Sequence, residues 1–282
     1  MQRRLTLLPD SVEVLARVGH CFYRRSQFRS GHGDPAGGIA DGQRAVEMYE
    51  AIVAKAPEYK HRDNLAFAYS NLAENQLKAD DSASRAKGID SLRKALATMR
   101  EITVNKQGDV EGQRHLAVAA GELGAALGTE GQPHEGLPYV EEALPIFRTL
   151  YDADKTNRLA RLDLAESEEN AGNLWVALGD PAKAVDHCRS AVQLLGAPPN
   201  PPESNLEISA ALIEAQKDLA QAYASAAQAA DAAPTRAEFW REAQLSATAS
   251  LQMAQAIVAK KPEIAADYAA FIAKDKELLA RH

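Results

Sequence analysis

The side chains best suited to chemistry in this sequence are two cysteines and seven histidines, and the nearest thing to a motif is a pair of dipeptides, His20-Cys21 and His187-Cys188. Imidazole and thiolate are the usual ligands of zinc, but adjacent residues of a helix point about 100° apart, so neither dipeptide makes a natural chelate. The other histidines, His32, His61, His115, His134 and His282, show no ligand spacing. Cys21 and Cys188 stand far apart and form no Cys-x-x-Cys, which argues against a disulfide framework. Gly31-His32-Gly33 lacks the strand and the further glycine of a phosphate-binding loop. Ala56-Pro57-Glu58 spells a protein-kinase tripeptide, but no glycine-rich loop, His-Arg-Asp or Asp-Phe-Gly accompanies it, and Lys261-Pro262-Glu263 returns in its place near the other end. The reading is therefore packing rather than catalysis, with no catalytic residue, no metal and no cofactor expected. A metal-dependent or hydrolytic enzyme on a helical scaffold is the minor alternative, and bound zinc would be its mark.

The chain as a whole carries a net charge of −7 with a pI near 5.6, which argues against a general nucleic-acid binder, because phosphate recognition needs a basic face. The first thirty residues run against this trend. Arg3, Arg4, Arg17, Arg24, Arg25 and Arg29 face only Asp10 and Glu13 in charge count, and a solvated basic end is the expectation. No run of eighteen apolar residues exists, so no spanning helix and no membrane insertion are expected. The apolar core of Met1–Pro9 is too short for a secretory signal. Together with two unpaired cysteines, these features suggest a cytoplasmic protein.

Positioning elements emerge from one stretch, Asn170-Ala-Gly-Asn-Leu-Trp-Val-Ala-Leu-Gly-Asp-Pro-Ala-Lys-Ala-Val-Asp-His-Cys-Arg-Ser-Ala191. Its pattern predicts a helical hairpin. Gly179-Asp180-Pro181 ends one helix and starts the next, with Gly past the C-terminus, Asp as N-cap and Pro at the first helical position. Gly172 permits close approach of a neighbour, and Ala184 and Ala191 lie on nearly one face of the second helix.

The same arrangement recurs. Small residues of the first helices align as Gly19, Ala73, Gly124, Gly172 and Ala220, and those of the second helices as Gly38/Ala45, Gly88/Ala95, Gly136/Ala143, Ala184/Ala191 and Ala243/Ser250. A fixed period of about 48–50 residues is the mark of a solenoid. Local copies support it: Gly33-Asp-Pro-Ala36 repeats as Gly179-Asp-Pro-Ala182, and Ala51-Ile-Val-Ala-Lys55 as Ala256-Ile-Val-Ala-Lys260. The openings also rhyme, as Arg62-Asp-Asn-Leu-Ala66, Gln113-Arg-His-Leu-Ala117 and Arg161-Leu-Asp-Leu-Ala165.

Residues 10–195 thus read as four hairpins, opened by a capping box at Asp10-x-x-Glu13, with a first helix two turns longer than the others. Residues 1–9 read as the end of a preceding repeat or an N-terminal extension. Pro138 and Pro145 predict a local bend in the third unit. Gly196-Ala-Pro-Pro-Asn-Pro-Pro202 marks a Pro-rich linker over 196–203. A fifth hairpin follows over 204–261, capped by Ser204-x-x-Glu207, and residues 262–282 supply a C-terminal capping helix.

This pattern resembles the tetratricopeptide repeat (TPR) family, through Gly172, Trp175, Gly179, Asp180, Ala184 and Ala191 in the fourth unit and Leu123, Gly124, Gly131, Gly136 and Ala143 in the third. The family's usual period is 34, and roughly four added helical turns per unit keep the buried stripes in phase. Such long-period arrays look like the repeat regions of bacterial serine/threonine kinases of the eukaryotic type. The resemblance implies an all-α, right-handed superhelical solenoid of helix-turn-helix repeats, acting as a non-enzymatic protein-protein interaction scaffold with a protein or peptide partner. A regulatory or sensory region of a bacterial signalling kinase, in the covalent context of a larger protein, is the alternative. Carrying the family's concave groove across picks out Arg17, His20 and Arg24, then Ser70 and Glu74, Glu169 and Asn173, and Lys217 and Gln221. Gly121 and Ala125 occupy the groove positions of the third unit. The family's Lys/Asn clamp for a terminal carboxylate is not reproduced.

Overall fold

The computed structural model describes residues 11–104, 109–197 and 205–280, and among these the chain is all helix, without a strand. Among the described residues eleven α-helices follow one another: α1 (Val12–Gly31), α2 (Pro35–Lys55), α3 (Tyr59–Leu77), α4 (Ser82–Thr103), α5 (Val110–Thr129), α6 (Pro133–Ala153), α7 (Arg158–Ala177), α8 (Pro181–Gly196), α9 (Leu206–Ala229), α10 (Ala233–Lys260) and α11 (Ala265–Ala280). The chain divides inside α5, after Ala126, into two compact units. In the first unit α1 packs on α2, α2 on α3 and α3 on α4; in the second the sequence continues from α6 on α7 through α10 on α11. First helices also meet one another within each unit, α1 with α3, α7 with α9 and α9 with α11.

The turns between paired helices form as their residues dictate. Gly33, Gly131 and Gly179 take φ of 75°, 77° and 77°, a left-handed conformation that costs glycine nothing. Each turn closes with the same long bond, from Asp34 N to Arg29 O, from Gln132 N to Leu127 O and from Asp180 N to Trp175 O. The carboxylates of Asp34 and Asp180 then accept from Gly37 N and Lys183 N at 2.9 and 3.2 Å, satisfying an orphan donor of the next helix. The third hairpin of this kind has Gln132 at the same place and makes no side-chain cap bond.

Packing follows the small residues. Ala45, Ala95, Ala143, Ala184, Ala191, Ala243 and Ser250 are all fully buried, and Gly38, Gly88 and Gly136 are buried beside them. In the first unit Leu15, Val46, Tyr49, Ile52, Leu65 and Leu72 form the core between α1, α2 and α3. In the second, α9 inserts Tyr223 between α8 and α10, while Ile213 joins Ala254 and Tyr268 to hold α11 against the last hairpin. The rhyming openings have a packing role too. Arg161, fully buried, donates from Nη1 to Ala197 O just past the end of α8 at 2.9 Å, and Arg62 pairs with Glu101 near the end of α4 at 3.4 Å.

One register differs from the sequence expectation. Ala73, Gly124, Gly172 and Ala220 each lie fourteen residues after the first residue of their helix, and in α1 that place belongs to Ser26, not Gly19. Close contacts agree. A Cβ on Gly88 would meet Ala73 O at 3.2 Å, and one on Gly38 meets Ser26 O at 3.4 Å. Ser26 is fully buried, donates to Gly38 O at 2.8 Å and accepts from Asn75 Nδ2 at 3.2 Å, so a hydroxyl stands where the other units place hydrogen or methyl. Accordingly α1, at 20 residues, is of ordinary length beside the 19 of α3, the 20 of α5 and α7 and the 24 of α9.

Two helix starts also differ from expectation. Ser11 and Asn205 are the N-caps of α1 and α9, accepting from Val14 N and from Glu207 N and Ile208 N. The capping boxes on Asp10 and Ser204, residues 1–9, and the body of the Pro-rich stretch lie outside the described residues. Helix α6 runs unbroken through Pro138 and Pro145. Past Lys261 the chain makes a 3-10 turn, Pro262–Ile264, before α11.

Candidate partner-binding groove

With the register set by Ser26, the positions three before and one after the small residue are Tyr23 and Gln27, Ser70 and Glu74, Gly121 and Ala125, Glu169 and Asn173, and Lys217 and Gln221. In the second unit Glu169, Asn173, Lys217 and Gln221 line clefts between first helices. Of the residues assigned to α1 from sequence, His20 lies one turn before Tyr23 and stacks with it at 6.3 Å between ring centroids. Arg24 follows Tyr23 and is turned about 100° further round the helix, where it bonds Gln27 at 3.1 Å. Arg17 is exposed and pairs with Glu13 one turn back at 3.1 Å.

In the first unit the groove side chains are linked to each other. Ser70 Oγ donates to Glu122 Oε2 of α5 at 2.7 Å, and Lys78 ties Glu74 (2.6 Å) to Ser30 of α1 (3.1 Å). Gln27 donates to the Tyr23 hydroxyl at 3.1 Å. Burial pushes the Tyr23 phenol up, with Arg24 opposing and the Glu122 and Glu74 carboxylates adding to the rise. Deeper between α3 and α5, His115 Nδ1 meets Asp63 at 3.0 Å while its ring stands edge-on to Phe67 at 4.7 Å.

The second unit brings charge together more densely. Glu169 and Asn173 of α7 and Glu214 and Asp218 of α9 line one cleft of about 380 Å³, with Glu166 and Asn170. Asn173 Nδ2 donates to Asp218 Oδ2 at 2.7 Å, and Lys217 reaches Glu214 at 3.1 Å and Asp218 at 3.4 Å. Burial raises the Glu169 carboxyl well above its ordinary value, and the charges of Asp218, Glu214 and Glu166 push it further. Asp218 is raised too, by burial, against the pull of Lys217 and the Asn173 bond. Burial disfavours the Lys217 ammonium, but Asp218 and Glu214 more than offset this and hold it above the ordinary lysine range. A second cleft of about 360 Å³ opens between α9 and α11, lined by Lys217, Gln221, Lys274 and Asp275.

Sequence reasoning named Glu169, Asn173, Lys217 and Gln221 but missed Asp218, Glu214 and Asp275, which complete the two clefts. Their signal is visible only once α7, α9 and α11 are set side by side.

The two histidine-cysteine pairs differ: His187-Cys188 is packed between helices, whereas His20 and Cys21 are exposed. Cys188 is fully buried against Gly172, and burial followed by the Asp218 and Glu169 charges pushes its thiol far up, which makes it unreactive. His187 Nδ1 instead meets Glu168 at 2.7 Å, a buried carboxylate that Arg148 of α6 also contacts. Cys21 is exposed and belongs to the first unit. No group of three or more His, Cys, Asp or Glu among the described residues is placed to hold a metal ion. No described helix is long and apolar enough to cross a membrane.

Comparison with solved structures gives the class of fold. A variant of a Podosopora anserina protein described as a kinesin light chain with nearly identical TPR-like repeats matches 84% of this chain and 98% of its own, at 16% identity and a TM-score of 0.56. Nro1, described as a hypoxic regulator of sterol synthesis and a nuclear import adaptor, matches 99% of this chain and 88% of its own at 16% identity and 0.53. BtubC (BKLC) of P. vanneervenii matches 89% and 92% at 15% identity and 0.52. The chain therefore has the all-α fold of TPR-like repeat solenoids. Neither a family model nor a curated protein matches the sequence.

Proposed function

We propose that this chain is a non-enzymatic interaction scaffold that holds a peptide or partner helix in the grooves that first helices form within its units. The observation that carries this reading is the contrast between two sets of equivalent positions. Those that pack helix on helix are small in every unit, whereas the groove positions change from Tyr23 and Gln27 to Ser70 and Glu74, Gly121 and Ala125, Glu169 and Asn173, and Lys217 and Gln221. A repeated framework bearing a different surface at each step is how solenoids build binding faces. The adaptor role ascribed to Nro1 is in keeping with it.

Capture from a lysate of the source cells tests the proposal. The wild-type chain is compared with Ser70→Ala/Glu74→Ala, with Lys217→Ala/Gln221→Ala, and with Arg17→Ala/His20→Ala/Arg24→Ala. The groove pairs are expected to lose partners that the wild type retains, with helicity unchanged. Retention of every partner by all three variants would overturn the reading.

A further inference from the structure

The cleft between α7 and α9 has an incomplete charge balance. Glu169 is about nine-tenths buried, at 8% exposure, yet among the described residues it accepts no hydrogen bond and no ion pair. The lysine nearest to it, Lys217, is engaged by Glu214 at 3.1 Å and Asp218 at 3.4 Å. A buried carboxyl without a partner is costly to a fold as the anion and holds a proton instead, and a cation brought from outside can take that proton's place. A metal ion does not suit the place, since no three ligating groups converge there among the described residues. An organic cation does, because a guanidinium or ammonium on a long apolar stem can bond separate carboxylates across a space of about 380 Å³.

Resting on the groove reading above, we propose that this cleft receives the cationic side chain, arginine or lysine, of an extended segment of a partner protein, with Glu169 as its buried anion. A peptide, rather than a free small cation, is favoured by the continuation of the groove. Beyond Lys217 the second cleft, of about 360 Å³ between α9 and α11, carries that line on past Gln221 and Lys274.

The test uses two peptides labelled on the N-terminal amine, fluorescein-Gly-Ala-Arg-Ala-Arg-Ala-Gly-amide and its counterpart with citrulline, a neutral isostere, in place of both arginines. Anisotropy at low salt is expected to show the arginine peptide binding at least tenfold tighter than the citrulline peptide. Glu169→Gln should abolish most of that preference, and Glu214→Gln, at a half-exposed site that cannot unfold the chain, should weaken it, while Glu141→Gln on the exposed face of α6 should not change it. Equal affinities for the two peptides, or a preference that survives both Glu169→Gln and Glu214→Gln, would overturn the inference. Loss of partners by the Lys217→Ala/Gln221→Ala variant, alongside indifference to both peptides, would leave the scaffold reading standing and remove only this one.

Discussion

The Cα of Gly172 lies so close to Cys188 that a Cβ added there would overlap the Sγ, with Ala184 O only 3.3 Å away on the same side. Two helices joined by the Gly179 turn are thus locked at a distance that a hydrogen atom permits and a methyl group does not. Overpacking of this kind costs about 1–3 kcal/mol. Gly172→Ala should lower stability in urea by that amount, and adding Cys188→Ala, which removes the sulfur, should recover part of the loss. Independent, additive effects of the two substitutions would show that the helices do not meet there.

Burial of Cys188 and exposure of Cys21 predict two very different thiols. Under native conditions a thiol reagent at pH 8 should modify one cysteine quickly, and Cys21→Ser should remove that fast phase. The second should react only after denaturation.

The raised Glu169 carboxyl gives stability a definite pH dependence. Its native pKa lies above the ordinary 4.5, so the folded chain holds the proton more tightly than the unfolded one. The contribution is complete below the ordinary carboxylate range and is lost as pH climbs through the native value. Asp218 and Asp275 act in the same direction, and Asp218, Glu214, Glu166 and Lys217 are the charges that set the shift. Glu169→Gln should therefore stabilise the chain at pH 7, with the gain vanishing near pH 4 in denaturation curves. A destabilised variant at pH 7 would contradict this.

Ser26 predicts how the first unit differs from the rest. Its hydroxyl bridges Gly38 O and Asn75 Nδ2 inside the core, so Ser26→Ala should cost about 1–3 kcal/mol. Ala73→Ser, at the equivalent place in α3, has no such partner arrangement prepared for it and should also destabilise.

The hairpins were readable because glycine, proline and alanine have few alternative uses at those spacings: Gly179-Asp180-Pro181 dictates a turn, and a stripe such as Ala184/Ala191 dictates a close crossing. The register of α1 was harder to read. Gly19 and Ser26 are seven residues apart, two helical turns, and share a face, so glycine looked like the stronger small-residue signal while the hydroxyl was the true counterpart. That shift of seven carried His20 into the groove assignment in place of Gln27, while Arg17 and Arg24 sit at equivalent places in neither register. The acidic cleft was beyond local pattern altogether, since Glu169 and Asp218 are neighbours only through the packing of α7 on α9.

The central claim is that partners lie along the first helices, and site-specific photo-crosslinking in the source cells addresses it directly. A benzoylphenylalanine placed at Gln221 or Ser70, in the groove, is compared with one at Glu141, on the exposed side of a second helix. The account predicts discrete crosslinked products from Gln221 or Ser70 and none from Glu141. Products from Glu141 alone would put the binding surface on the second helices and contradict it.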